Sequence, residues 1–392
     1  DELLQRGISS GNLSFSTDFA EVADADVHFI CVGTPQLEDG TAADLSYLNS
    51  AVDQVIAHME TDNRPEDRPV LIVGKSTVPV GTAQSLVEQV ETAGAVLAWN
   101  PEFLREGFAV GDTLRPDRLV YGLSDDDAKH AYGERVLDEV YADILEAGTP
   151  KVVTDYGTSE LVKVAANAFL ATKISFINAM AEICDVVGAD VTTLAQAIGH
   201  DDRIGKKFLR AGIGFGGGCL PKDIRAFMAR ADQLGTGESL TFLEAVDSLN
   251  LRQRERAVNL LEDNIGGSLD GKRIAVLGGS FKPDSDDIRD SPAVDIARRL
   301  IARGASVTLF DPKSAQIVHR AHPDIAAASS TADALTNADG VAPDSSPGKS
   351  CWTAATASIH GPGVQPASPT SEWEDHDFEY EQPERLQHTR QQ

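Results

Sequence analysis

A cysteine, a lysine, an asparagine and a group of carboxylates are the residues here whose types and spacing could do chemistry together. Cys219 lies in the stretch GIGFGGGCLPKD, residues 212–223, just ahead of a helix in which Pro221 suits the first position. The helix dipole and the neighbouring Lys222 are expected to favour the thiolate, the nucleophilic form of the side chain. Asp223 follows four residues later. It reads either as a helix-end carboxylate or as a base or water-positioning group beside the sulfur. Lys163 and Asn167 are spaced i, i+4 in LVKVAANAF and share a helix face. They are either a snorkelling lysine and a satisfied core amide, or a desolvated ammonium and an amide that stabilise an oxyanion. A thiolate, a cation and a carboxylate are what an acyl-thioester route requires.

The first six residues of the glycine stretch match G-x-G-x-x-G, yet the preceding RIGKKFLR is basic and not a strand. A dinucleotide turn needs a strand before it, so the glycines are read as clearing space around the Cys219 sulfur. The other cysteines are Cys31, Cys184 and Cys351, with no C-x-x-C pair. Cys31, in a strand, and Cys184, in a long helix, read as small buried residues. This usage matches neither a disulfide framework nor a zinc site and places the chain in a reducing cytoplasm. His200-Asp201-Asp202 reads as a charged loop, and no metal is expected.

The elements that must position these groups follow from the hydrophobic pattern. Strands are expected at 27–32, 70–73, 96–99 and 119–121, with helices at 45–59 and 81–93, an alternation that predicts a parallel, doubly wound sheet. Ligands bind beyond the carboxyl ends of such strands. Those ends read Gly33-Thr34-Pro35, Ser76-Thr77-Val78-Pro79 and Asn100-Pro101-Glu102-Phe103-Leu104-Arg105-Glu106. One long helix, apolar nearly all round, is expected from a Thr158/Ser159 cap to Gly188, buried in a core or against another subunit. Further helices are expected near 191–198, 221–234 and 239–261. A second α/β unit opens at Lys272 with a strand at 273–277, a helix at 293–303 and a strand at 306–311. The expected fold class is therefore α/β: two Rossmann-like domains, both incomplete, joined by a central helical domain with one long helix. Its divisions fall at 1–150, 151–262 and 263–340, followed by a disordered tail over 341–392 rich in Pro, Ser, Thr and acidic residues.

The chain has 34 basic and 61 acidic residues, a net charge of −27. Such a field repels nucleic acid and anionic membranes and suits a high-salt cytoplasm of the halophilic type. No charge-free run of about 18 apolar residues argues for a membrane span. The sequence opens on DELLQRG without Met or a signal-like segment, which reads as an incomplete or processed start.

Taken in order, KSTVPVGT (75–82), NPEFLREG (100–107), ELVKVAANAFLATKISFINAMAEIC (160–184), DDRIGKKFLRAGIGFGGGCLPKD (201–223) and GGSFKPDSDDIRDSP (278–292) resemble the UDP-glucose/GDP-mannose 6-dehydrogenase family. The DRIG and DRLV segments look more like its UDP-glucose branch than its GDP-mannose branch. The resemblance implies a four-electron oxidation of a UDP-sugar at C6 with NAD, in nucleotide-sugar metabolism that feeds polysaccharide biosynthesis. It implies that Cys219 traps the aldehyde as a thiohemiacetal that becomes a thioester. Lys163 and Asn167 would steady the oxyanion, Asp223 with Thr77 would position water, and Glu102 would assist hydrolysis. By the same resemblance Thr34, Pro35, Ser76, Thr77, Glu106, Lys222, Lys282 and Arg289 would meet the cofactor. Phe103, Leu104, Lys207, Phe215, Gly216 and Gly217 would meet substrate, and Arg203 would do so from another subunit, with the long helix forming the interface of a homodimer or higher oligomer. The family's N-terminal strand and its own glycine turn would precede the segment matching Asp1, and its final strands would follow Gly340. A one-step hydroxyacid dehydrogenase would share the architecture without needing Cys219. A remnant that only binds sugar nucleotide or oligomerises is a third reading.

Overall fold

The computed structural model describes residues 2–343 apart from 38, 62, 63 and 66. Of the tail expected to be disordered, residues 344–392, Cys351 among them, lie outside the described residues.

The first sheet contains β1 (Val27–Ile30), β2 (Val70–Gly74), β3 (Ala95–Trp99), β4 (Leu119–Leu123) and β5 (Lys151–Asp155), in that spatial order. Around it run α1 (Glu2–Ser9), α2 (Ser46–His58), α3 (Thr82–Thr92), α4 (Ala109–Leu114), α5 (Asp127–Val140) and α6 (Ala142–Glu146). All residues of β2, β3 and β4 are buried, as expected of strands covered on both faces. Because side chains alternate across a strand, Val70, Ile72, Leu97 and Trp99 pack on α2 and α3. Leu71, Val73, Val96 and Ala98 pack on α5 from the other side. Two features correct the sequence reading. The sheet is not wholly parallel, since β3 and β4 meet antiparallel through Trp99 and Gly122. In addition, β5 pairs in parallel with β4, so the first sheet runs past the boundary drawn at residue 150.

The central helices are α7 (Tyr156–Val187), α8 (Val191–Gly199), α9 (Leu220–Gln233) and α10 (Thr241–Asn264). The long helix begins at Tyr156 rather than at a Thr158/Ser159 cap. Asp155 is its N-cap and accepts from the Thr158 N–H, and Gly188 ends it at a left-handed φ of 71°. With 32 residues it is about 48 Å long. It is also long and apolar enough to cross a membrane by length and composition, which the search for a charge-free run did not suggest. Within the fold, its Ser159, Glu160, Lys163, Asn167, Ser175 and Asn178 are buried, and Ala168 and Ala171 pack with Phe215, Ile224, Leu243 and Val246.

The second sheet holds β6 (Arg273–Leu277), β7 (Ser306–Phe310), β8 (Ala326–Ala327) and β9 (Gly340–Pro343), in the order β8-β7-β6-β9, all parallel. Its helices are α11 (Pro292–Ala302), α12 (Ala315–Ala321) and α13 (Thr331–Leu335). Ordered pairing thus continues through Pro343 rather than stopping at Gly340.

Candidate active site

Three separate parts of the fold converge on Cys219. The residue is the N-cap of α9, with Pro221 in the first turn. Helix α7 brings Lys163 and Asn167, both buried, on the face that packs against α9. The carboxyl ends of β1, β2 and β3 bring Thr34 and Thr77, linked to Lys222, and Glu102. The charges of Asp223, Lys163, Lys222 and Glu102 are all felt at the Cys219 thiol.

Asp223 is 2% exposed. Its Oδ2 accepts from the Asn167 side-chain amide at 2.6 Å. The Lys222 ammonium lies 2.7 Å from Oδ1, an ionic contact whose angle does not make a hydrogen bond. Lys222 in turn reaches the Thr34 hydroxyl at 3.5 Å, and that hydroxyl donates to the Thr77 carbonyl at 2.7 Å. A polar chain therefore runs from α7 through α9 to the rim of the first sheet. Lys163 sits 4.0 Å from the Glu102 carboxylate and over the Phe103 ring at 5.3 Å. The other side of the Glu102 loop is held by Arg118, stacked on Phe103 at 4.0 Å. Glu102 also accepts from the Leu104 N–H.

The thiol itself departs from expectation. Cys219 is exposed as a residue, yet the protein packed around it is dense enough that burial is the largest influence on its pKa. Burial and the Asp223 carboxylate push the thiol up, against the opposing pull of Lys163 and Lys222. The expected preference for thiolate is thus reversed by desolvation and a buried neighbouring carboxylate. Cys184 is buried as expected, whereas Cys31 is exposed.

The glycines also serve a different purpose from the one read in the sequence. A Cβ at Gly216 would collide with the Asp290 carbonyl, one at Gly217 with the Phe281 ring, and one at Gly218 with the Arg289 guanidinium. They admit the 281–292 loop of the third unit rather than clear space around the sulfur. The Gly217 N–H donates to the Arg289 carbonyl at 3.0 Å, which ties that loop down. Phe215 is buried in the central cluster. Its N–H donates to the Asn250 side chain at 2.7 Å and its carbonyl accepts from the same amide at 2.9 Å.

The residues expected on the cofactor side fall in two places, the strand-end rim of the first sheet and the contact between the 100–107 and 281–292 loops. The Ser76 hydroxyl donates to the Val32 carbonyl at 2.6 Å, and Gly33 has open space where a Cβ would stand. Pro35 is exposed at the same rim. Lys282 donates to the Glu106 carbonyl at 2.6 Å, and Ser285 donates to the Glu106 carboxylate. Cys219 acts electrostatically on both Lys282 and Arg289. Hydroxyls at a strand-end rim, an unobstructed glycine and two nearby cations fit the sugar and phosphate groups of a dinucleotide. Among the described residues no cluster of His, Cys, Asp and Glu could hold a metal.

Two expected substrate residues are not brought to this centre within one chain. Arg203 projects into solvent and pairs with Asp201 at 2.6 Å, and Lys207 is exposed. Sequence reading placed Asn100 at the strand-end rim but missed its partners Lys75 and Tyr141 behind Glu102. Lys75 donates to Asn100 Oδ1 at 2.9 Å and to the Tyr141 hydroxyl at 3.2 Å, while buried Asn100 donates to the Val120 carbonyl at 2.9 Å. Burial lowers the Lys75 pKa. The available signal was an ionisable side chain directly after an apolar strand. Asn250 and Arg254 were missed too, since nothing in an amphipathic helix marks which polar residue turns inward.

Three domain models match this chain: the NAD-binding domain of the UDP-glucose/GDP-mannose dehydrogenase family over residues 1–145, its central domain over 157–252 and its UDP-binding domain over 275–342. The chain is 41% identical to a UDP-glucose 6-dehydrogenase of Rickettsia felis over 315 residues, covering 80% of this chain and 67% of that protein. It is 41% identical to the UDP-glucose 6-dehydrogenase AglM of Haloferax volcanii over 347 residues, 86% of this chain and 77% of that protein. A UDP-glucose dehydrogenase structure from Pyrobaculum islandicum superposes with a TM-score of 0.79 at 38% identity, covering 87% of this chain and 78% of that one.

Proposed function

This chain belongs to the UDP-glucose/GDP-mannose dehydrogenase family, and from that premise we propose that it oxidises UDP-glucose to UDP-glucuronate on a Cys219 thioester. It is an NAD-dependent oxidoreductase of the UDP-glucose 6-dehydrogenase type. The observation that carries the thioester route is the placement of Cys219 at the start of α9, within electrostatic reach of Lys163, Lys222, Asp223 and Glu102.

When bound, NAD supplies a hydride acceptor; Thr34, Ser76, Lys282 and Arg289 would hold it. The Cys219 thiol adds across the C6 aldehyde, sulfur bonding to carbon and the thiol proton ending on the oxygen, and the ammonium of Lys163 with the amide of Asn167 opposes the charge on that oxygen as it develops. The C6–S bond then persists through the second oxidation as a thioester. Asp223, with Thr77, orients the attacking water. Glu102 accepts the proton this water loses and returns it to the departing sulfur as the C6–S bond breaks. Counting NADH released per UDP-glucose tests the route. Two equivalents are expected, with Cys219→Ala releasing no more than one; a single equivalent from the unmodified chain, or full turnover by the variant, overturns it.

A second copy of the chain is proposed to cover the outer face of α7, where Phe169, Phe176, Ile183, Val186 and Val187 are exposed, and to bring Arg203 to the substrate of its neighbour. Light scattering at micromolar concentration should give at least twice the mass of one chain. The free thiols at Cys31, Cys184 and Cys219 support a reducing compartment such as the cytoplasm.

A further inference from the structure

The turn between β2 and α3 carries Thr77 at one end, and two side chains from the central helices hold its other end. Glu160, one turn before Lys163 on α7, is 1% exposed. Its Oε2 accepts from the Gly81 N–H at 2.6 Å and its Oε1 from the Ala83 N–H at 2.7 Å. Arg230, on α9, donates through Nε to the Val80 carbonyl at 2.8 Å. Gly81 stands at a left-handed φ of 93°, and a Cβ there would lie 3.0 Å from the same guanidinium. The helices that grip this turn are the two that carry Lys163, Asn167, Cys219 and Asp223.

We infer that Glu160 is a positioning residue for this enzyme: its ionised carboxylate fixes the Thr77 turn in register with the helices that bear the reacting groups. The inference rests on the reading that Thr77 acts with Asp223. Two N–H donors, each on a different oxygen, need two acceptors. A protonated carboxyl keeps one full acceptor, and its hydroxyl oxygen accepts only weakly, so a proton on Glu160 weakens one of the two bonds. The groups around it set a contest over that proton. Arg230 favours the ionised form from α9, as do the backbone N–H groups from Gly81 to Ala83, and residues 76–87 contain no titratable side chain. On α7 itself the next charge is Lys163, which faces Glu102. Burial outweighs these and lifts the carboxyl to about 7. The clamp is therefore at full strength above that pH and weakened on one side below it.

Amide hydrogen exchange across residues 78–90 of the full chain tests this without requiring turnover. Corrected for the intrinsic pH dependence, exchange in the wild type should be about tenfold slower at pH 8 than at pH 6, the effect of one buried hydrogen bond. Glu160→Gln presents one acceptor and one donor, as the protonated acid does, and at pH 8 should exchange like the wild type at pH 6. Its kcat should fall severalfold and lose its rise through neutral pH, with KM for UDP-glucose changed less than twofold. Wild-type protection in the variant at pH 8, or lost protection with unchanged kcat, overturns the assignment. If the variant does not fold, the wild-type pH series decides alone, and protection that does not change between pH 6 and 8 overturns it.

Discussion

Cys219 is held protonated by its own surroundings, so its deprotonation depends on what the bound substrate and the neighbouring charges do. Because burial and Asp223 raise the thiol pKa, the thiolate fraction at neutral pH is smaller than for a free cysteine. The rate of iodoacetamide alkylation at Cys219 should therefore still be climbing above pH 9, and a plateau below pH 8 would contradict this balance. Asp223→Asn removes the second cause and should speed alkylation at pH 7.5 by about threefold to tenfold, since one pKa unit is a factor of ten in thiolate. The same variant loses the proposed water-orienting carboxylate, so the thioester should accumulate and be visible by intact mass after a single turnover. The residue types at this site were legible in the sequence, as was their grouping on α7 and α9. The sign of the thiol shift was not, because the buried depth of Asp223 depends on how α7 packs against α9.

At the scale of the elements, the loop before α9 is a docking strip between the central helices and the third unit. Asn250 holds both polar groups of the Phe215 backbone. Nearly buried Arg254 reaches the Asp290 carboxylate at 2.8 Å and the Phe215 carbonyl at 3.1 Å. Asn250→Ala leaves the buried Phe215 N–H unpaired, while the carbonyl keeps its bond from Arg254, and should cost about 1–3 kcal/mol, read from urea denaturation. The glycines can be ranked as well. Gly216→Ala meets the backbone of Asp290, which cannot move alone, whereas Gly218→Ala meets the end of the Arg289 side chain, which can swing away. The first should lower the Tm markedly and the second by at most about 2 °C; equal losses would contradict the ranking. Spacing alone suggested the glycines were there for the sulfur. Their partners lie more than sixty residues downstream, beyond the reach of any local pattern.

For the whole molecule, charge and the outer face of α7 set behaviour in solution. A chain with 61 acidic against 34 basic residues repels itself, and added salt screens that repulsion. Between about 0.1 and about 2 M KCl the Tm should rise by about 5 °C or more; a flat or falling Tm would count against charge as the limiting factor. The apolar residues along α7 are buried on one side and exposed on the other, a division that the nearly uniform apolar sequence of this helix does not reveal.

By itself the sequence determined the two α/β units, the long helix between them and the family, and it singled out the proposed nucleophile, because apolar periodicity, helix boundaries and short motifs are written in adjacent residues. Only the tertiary structure decided the antiparallel step between β3 and β4, the fifth strand of the first sheet, the purpose of the glycines, the protonated bias of Cys219 and the buried clamp at Glu160. Each of these depends on which distant groups share a desolvated space, and desolvation belongs to the packed chain rather than to any residue in it.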